Sequence, residues 1–559
     1  MTKQEIYKKY FSLDNMRLAW ERMIRSTGRD VKDYFGIELY SSQLERNLKR
    51  LSIRIIEEGF VPSRPFKYFE PKASKTHRTK SVLRIEDALV YQAIADKIAT
   101  MNYETLTENN NFVFGSVLHP EVELGTEILL KEESEYYFFE YYIPLYNKFI
   151  DSVNHEIKND NIRFKLETDI TGFFDSIPHS RLLLMLDQLG IEEEILDLLE
   201  QCLNLYSGTN DSPTFGVGIP QGPAPSFFFA NLFLNDLDHE ISQNGYTYYR
   251  YMDDIRIYEE KEEKLTDVLV LIDSHLKGKA LSLNSKKTSI EEMGKNNDRE
   301  LIPLLWGSGS HIEIIDEQEE IVPQVLLEQS SDNYQNEDYE IKTLSEDELV
   351  AFCKNEIKES ETYLLNKFKD LGKPQFNARN LANDDSLKKE IIHYAYRWRS
   401  SNVILKEKEQ TILHPKLIDI WLFCTEHFFW KANHFCWNLN QYGANENISI
   451  KLKALLPKFQ SFEWVRYQIL SNLAIAQNFK PSELKQLFRD AKIEPSALVR
   501  IGYYTILLHN VNNKHQLFTA VKHAIKTDPE PYVKNRLLSF VSRDKNINKT
   551  EVIKSWLGL

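Results

Sequence analysis

The stretch YRYMDDIRIY, residues Tyr249–Tyr258, sets Asp253 and Asp254 side by side at the turn of an alternating polar/apolar pattern that predicts a β-hairpin. Two carboxylates about 4 Å apart repel by roughly 4 kcal/mol at an effective dielectric near 20. Unless a cation binds them, one should protonate or turn away. Asp is favoured in turns because its side chain bonds nearby backbone, so a plain turn is the competing reading of the hairpin taken alone. A third carboxylate in a matching setting favours the cation. RFKLETDITGFFDSI, Arg163–Ile177, is a strand-like run that ends at Asp169 and passes through a Gly turn into two aromatics and Asp175. A divalent cation such as Mg2+ takes oxygen ligands, and two such ions about 3.5–4 Å apart clamp the attacking and leaving oxygens of a phosphoryl transfer. Asp169 and Asp253 supply such a site from adjacent strands, with Asp254 completing it less directly.

Three segments in this order, Asp169–Ile177, then GIPQGPAPSFFFANLFL at 218–234, then YMDD at 251–254, resemble the palm motifs of reverse transcriptases. In the middle segment Ile219, Pro220, Gln221 and Gly222, then Ser226, Ala230 and Asn231, fall where bacterial members carry IPQG, Ser, Ala and Asn. The proline usual after that serine is Phe227 here. LSLNSKKTSI at 281–290 is similar to the next motif of the family and puts Lys287 before Thr288. Upstream, HRTKSVLRIED keeps the nine-residue interval of the fingers between Arg78 and Asp87, and NNFVFGSV at 110–117 matches loosely. The resemblance covers about residues 10–310.

What the resemblance implies is a right-hand polymerase with named roles. Asp169 and Asp253 hold two Mg2+ ions, with Mn2+ as the alternative, joined by Asp254 and the carbonyl of Ile170. Phe174 walls off the sugar 2′ position and favours dNTPs; its competing reading is core packing beside Phe173. Gln221, with Gly222, sits against the incoming nucleotide. Arg78 with Lys72 or Lys75 neutralises the triphosphate, and Lys287 protonates the leaving pyrophosphate. Phosphoryl transfer relies on such fixed positioning and charge.

Around this core, 559 residues are too many for one hydrophobic core and predict two to four domains. The chain opens MTKQEIYKKYF, with no apolar signal core, and no run reaches the roughly 18 apolar residues of a membrane span. The expectation is a bacterial cytoplasmic protein without a membrane partner, and four scattered cysteines suit a reducing compartment. The net charge of −14 argues against a surface that grips nucleic acid throughout. Arg46–Arg84 is an exception, with eleven cations against Glu57, Glu58 and Glu70. Residues 1–312 are expected to form fingers and palm, and the acidic stretch 313–345 a linker or long loop. Residues 346–559 are expected to be all helical, with a repeat from about 455: Val465, Val499 and Val533 recur every 34 residues, each followed by a cation. The fold class is therefore α+β, reverse-transcriptase fingers and palm followed by a HEAT-like helical domain.

Cys424, His427, His434 and Cys436 gather ligand chemistry without the spacing of a common zinc module, and Phe428, Phe429 and Trp430 between them suggest a packed helix. EYYFFEYYIPLYNKF, Glu135–Phe149, offers aromatics for base stacking or for packing against the palm. The whole chain resembles the abortive-infection reverse transcriptases of bacteria, the AbiK/AbiA type of the defence-associated unknown group. That resemblance implies antiphage defence, a homo-oligomer, and DNA synthesis from dNTPs with a protein primer that leaves the product covalently attached to a tyrosine; the first reading is an active polymerase whose DNA is untemplated. Copying of a partner noncoding RNA, or a binding scaffold without catalysis, stays open beside it; intact Asp169, Asp253, Asp254 and Gln221 weigh against the scaffold.

Overall fold

The structure, a computed structural model, describes residues 1–25, 33–131, 136–159, 161–209, 212–293, 346–374, 376–378, 381, 384–406, 413–510 and 523–543. It divides into two compact units, Met1–Tyr68 with Thr79–Leu304, and Phe69–Arg78 with Leu305–Leu559. The expected acidic linker 313–345 lies outside the described residues.

The first unit is built on a four-stranded antiparallel sheet. After a two-stranded hairpin of β1 (Phe66–Pro71) and β2 (His77–Val82), the chain forms β3 (Phe164–Asp169), β4 (Tyr248–Tyr251), β5 (Asp254–Glu259) and β6 (Ser289–Glu292), with sheet order β4-β5-β3-β6. Alternation sorts the strands. Leu166 and Thr168 on β3, with Ile255 and Ile257 on β5, are buried toward the core that includes Leu265, Val268 and Ile272 of the helix Glu262–Gly278. Side chains of period two then put Asp169 and Asp254 on the opposite face. The register pairs Asp169 with Asp254 and Thr168 with Ile255, and a slip of one residue would bury the aspartates among the aliphatics.

Helices complete the unit. Ile85–Met101 is buried on nearly all sides, which removes the polar stripe by which a surface helix is read from sequence. It carries two buried acids: Asp87 accepts the Ser63 amide at 2.7 Å and the Tyr206 hydroxyl at 2.8 Å, and Asp96 is bonded by Gln92 at 2.8 Å and lies 3.2 Å from Arg22 of the helix Leu13–Ile24. Pro223 opens the long helix Ala224–Gln243, whose missing amide costs nothing at that end.

In the second unit the region after residue 345 is helical throughout its described residues, in agreement with the expected fold class. Glu346–Lys367 and Asp385–Lys406 lie together, with the rings of Tyr363 and Tyr394 stacked at 3.9 Å. Three later helices begin at Glu463, Ala497 and Pro531, a spacing of 34 residues. Val465, Val499 and Val533 are fully buried, as are Ile469 and Leu537; the side chain of Val541 is outside the described residues. The cations that follow the valines explain why a charge recurs inside a packed array. Arg466 Nη2 meets Glu494 Oε2 at 2.5 Å, and 34 residues on Arg500 takes Asp528 in a two-point fork at 2.8 and 2.9 Å. Arg500 Nη1 also donates to the carbonyls of Glu494 and Pro495, so the next repeat ties down the loop that precedes it. Also within this unit, the Phe69 amide donates to Glu463 Oε1 at 2.8 Å and the His77 ring lies 5.5 Å from Phe462.

A buried acid left without its counter-charge is costly, whereas an apolar pair of similar volume is tolerated. Arg500→Ala is expected to destabilise the second unit by about 3–5 kcal/mol. Arg500→Met combined with Asp528→Leu should recover most of the loss. Urea unfolding of the full chain followed by tryptophan fluorescence measures both, because of eight tryptophans only Trp20 lies in the first unit.

Candidate active site

The end of β3 and the β4–β5 turn bring three carboxylates together, and each has a different environment. Asp169 is mostly buried and accepts a hydrogen bond from the Lys287 ammonium through Oδ2. The Lys287 loop is held there by backbone: the Asn284 amide donates to the Asp169 carbonyl at 2.8 Å, and the Thr171 amide donates to Ser282. Asp253 lies in the turn. Burial, and next the charge of Asp169, push its carboxyl up to about 6, with Lys287 pulling the other way. Asp254 opens β5 and turns to Arg256, whose Nη2 donates to Oδ2 at 3.3 Å; burial still raises this carboxyl, against the Arg256 charge.

This donor set fits a hard divalent cation only in an open form. Among the described residues no three His, Cys, Asp or Glu side chains form a closed metal cluster. Mg2+ is commonly held by one or two carboxylates and completed by water and substrate phosphates, which is what Asp169 and Asp253 offer. Each carries charge that raises the cost of ionising the other, a cost that a bound cation would relieve.

The other expected residues distribute as follows. Ile170 is buried at the sheet edge, where it bridges to Leu283. Phe174 is 9% exposed, packs edge-on to Phe227 at 5.3 Å, and accepts the Ile219 amide on its carbonyl at 2.8 Å. It therefore packs in the core and borders the 219–222 loop at once. Gln221 is half-buried, and its carbonyl accepts the Ser81 amide at 2.9 Å, tying that loop to β2; Gly222 has φ +145°, open to glycine. Lys75 and Arg78 are exposed and Lys72 half-buried on the hairpin segment Phe69–Arg78, which groups with the second unit.

Some sequence expectations change in the fold. The basic stretch is a smaller electrostatic footprint than its count implies. Lys67 and Lys80 are buried, with Lys67 Nζ donating to the Ser207 and Gly208 carbonyls, and Arg50 and Arg54 face Glu86. The aromatic run packs against the palm and does not form an open stacking platform: Phe138, Phe139 and Phe149 are buried, and Tyr146 meets Tyr251 edge-on at 5.3 Å. Cys424 and Cys436 are fully buried thiols pushed up by burial, while His434 bonds Arg399 and His427 packs on Phe423, so these four do not converge as a zinc site. Three residues beside the aspartates were missed altogether: Arg250, Asp238 and Gly115. An ion pair between Arg250 and Asp238, twelve residues apart on a strand and a helix, leaves no periodic trace, although an arginine at an inward strand position is a signal in principle.

The family described as Reverse transcriptase (RNA-dependent DNA polymerase) matches residues 71–321, the span that contains all three carboxylates and Lys287. Residues 71–321 are a reverse transcriptase domain. It is of the nucleotidyltransferase class. The chain is also 35% identical over 77 residues to an "Uncharacterized 91 kDa protein in cob intron" of Schizosaccharomyces pombe; the matched segment spans 14% of this chain and 10% of that relative. Among solved structures it is similar to telomerase from Candida albicans in complex with a TWJ fragment of telomeric RNA, at 13% identity, covering 77% of this chain and 68% of that one, TM-score 0.30. Apo telomerase from Candida tropicalis matches at 10% identity, 74% and 70% coverage, and TM-score 0.30. The abortive-infection assignment rests on the sequence resemblance alone. Among the described residues no helix is long and apolar enough to cross a membrane.

The crowded turn makes a measurable prediction for the reverse transcriptase domain. A carboxyl whose folded pKa is raised destabilises the fold above that pKa, and the penalty disappears below its unfolded value. Asp253→Asn should therefore stabilise the metal-free protein above about pH 6, on the order of 1–3 kcal/mol, with the gain fading below about pH 4. Chemical unfolding in chelator across that pH range is the check.

Proposed function

We propose that the protein is a DNA polymerase of the reverse-transcriptase type that joins dNTPs at Asp169 and Asp253. The observation that carries this reading is the crowding itself: the register sets Asp169 opposite Asp254 at the end of β3, and in the adjoining turn burial, and next the charge of Asp169, push up the Asp253 carboxyl. A fold without use for a cation gains nothing from such crowding.

Mg2+, when bound, neutralises the charge that develops on the transferring phosphoryl group. The chain's own residues supply the rest. Asp169 and Asp253 hold the cation, with Asp254 and the Ile170 carbonyl beside them. Phe174, backed by Phe227, stands where a sugar 2′ hydroxyl would clash. Gln221 and Gly222 border the nucleotide; the cations that the resemblance assigns to its triphosphate are Arg78 with Lys72 or Lys75. As the primer 3′ hydroxyl gives its proton to water and its oxygen bonds the α-phosphorus, the bond to the bridging oxygen breaks; the Lys287 ammonium leaves Asp169, gives its proton to the departing pyrophosphate and is reprotonated from water.

The finer reading is antiphage defence by an oligomeric enzyme whose DNA product is untemplated and protein-primed, in line with the abortive-infection resemblance. Copying of a noncoding RNA is the second reading, favoured by the RNA-dependent description of the matched family.

Purified protein with Mg2+ and labelled dNTPs, with and without an RNA template, tests the proposal. Incorporation that Asp253→Asn abolishes supports it, and incorporation at an unchanged rate in that variant defeats it. Product released only by protease marks a protein primer, and dependence on added RNA selects the second reading. Phage plaque counts with wild type and Asp253→Asn test the defence role. Phe174→Ala should keep dNTP incorporation and raise the NTP to dNTP efficiency ratio by about tenfold or more, since each 1.4 kcal/mol of relieved clash is worth a factor of ten. An unchanged ratio would assign Phe174 to packing alone.

A further inference from the structure

Asp253 follows a strained residue. Met252 has φ +57°, a conformation that a bulky L side chain rarely adopts and that persists only when its surroundings hold it. Two contacts do so. The Arg250 Nη1 donates to the Met252 carbonyl at 2.8 Å. On the other side, Gly115 approaches so closely that a Cβ there would lie 2.6 Å from the Met252 amide nitrogen.

Both contacts belong to one closed network. Arg250 is 1% exposed, and its Nε and Nη2 fork onto the two oxygens of Asp238 on the helix Ala224–Gln243, which fixes the guanidinium plane. Its Nη1 then serves the Met252 carbonyl and, at 2.9 Å, Asn231 Oδ1. Asn231 Nδ2 donates in turn to the carbonyls of Gly115 at 2.7 Å and Ser116 at 3.2 Å, holding the glycine against the turn. The Arg250 backbone closes the ring: its amide donates to Phe112, and its carbonyl accepts from the Phe114 amide.

We propose that the buried Arg250–Asp238 pair, acting through Asn231 and Gly115, is the positioning apparatus that sets the Met252–Asp253 turn and so aims the Asp253 carboxylate at Asp169. The proposal rests on the polymerase reading of those aspartates. Arginine is required because a planar fork can bind Asp238 at two points and still present a directed N–H to Met252; a lysine ammonium is a single point on a flexible stem. Stability alone does not demand the pair, since buried ion pairs are commonly replaceable by well-packed apolar residues. The Met252 carbonyl and Asn231 oxygen have no substitute donor in such a replacement.

The test separates positioning from folding. Arg250→Met with Asp238→Leu is expected to melt near wild type, yet to lose roughly 100-fold in kcat with little change in KM for dNTP, as misplacement of a reacting group by about 1 Å does. Arg250→Lys should fail to rescue kcat. Gly115→Ala leaves the ion pair whole and presses on the Met252 amide, so it should lower kcat in the same way and decides the matter if the double variant does not fold. Mn2+ affinity, followed by electron paramagnetic resonance without substrate, should weaken in each variant. Wild-type kcat and Mn2+ affinity in a folded double variant, or in Gly115→Ala, would overturn the proposal. Failure of the polymerase reading would be seen separately, as absence of incorporation by the wild-type protein.

Discussion

Repulsion between Asp169 and Asp253 is the constraint around which the first unit is arranged. Water would separate two such charges, and a protein can hold them together only by spending structure on each. The antiparallel register of β3 and β5 fixes where Asp169 lies relative to the turn, and the aliphatic side chains on the reverse face fix the register. The Lys287 loop adds a counter-charge that bonds Asp169 while remaining largely exposed. Because the ammonium is exposed, it can be displaced from Asp169 at little desolvation cost.

Holding Asp253 requires a second layer of interactions behind the turn. The strained Met252 backbone, the close glycine and the arginine fork are separate in sequence, yet each limits the conformations open to the next. Aromatic packing gives that layer its rigidity: Phe149 and Tyr146 both bear on Tyr251, the residue before Met252. The run of aromatics at 135–149 thus has its explanation in the fold and not in stacked bases.

The second unit solves a different problem with a similar device. Helices of about 13 residues cannot bury a core singly, so each leans on its neighbour through valines spaced 34 residues apart. Arg466 and Arg500 convert that repetition into a ladder, since each satisfies an acid 28 residues further on. Gly502 shows how tight the stacking is, because a Cβ there would lie 2.8 Å from Leu470 Cβ.

Sequence alone determined the elements whose signal is local or periodic. Alternation located β3, β4 and β5, crowded aspartates marked the candidate site, and a 34-residue interval located repeated helices. These are properties of neighbouring or evenly spaced residues, and physical chemistry reads them directly. Only the tertiary structure decided that Asp254 turns to Arg256, that Lys67 and Lys80 are buried, with Lys67 donating to backbone carbonyls, and that four metal-capable side chains at 424–436 do not converge. It alone paired Arg250 with Asp238 and set Gly115 against Met252. The reason is common to all of these: the energy of a charge or a polar group depends on what surrounds it, and its surroundings come from segments distant in the chain, brought together only when the core forms.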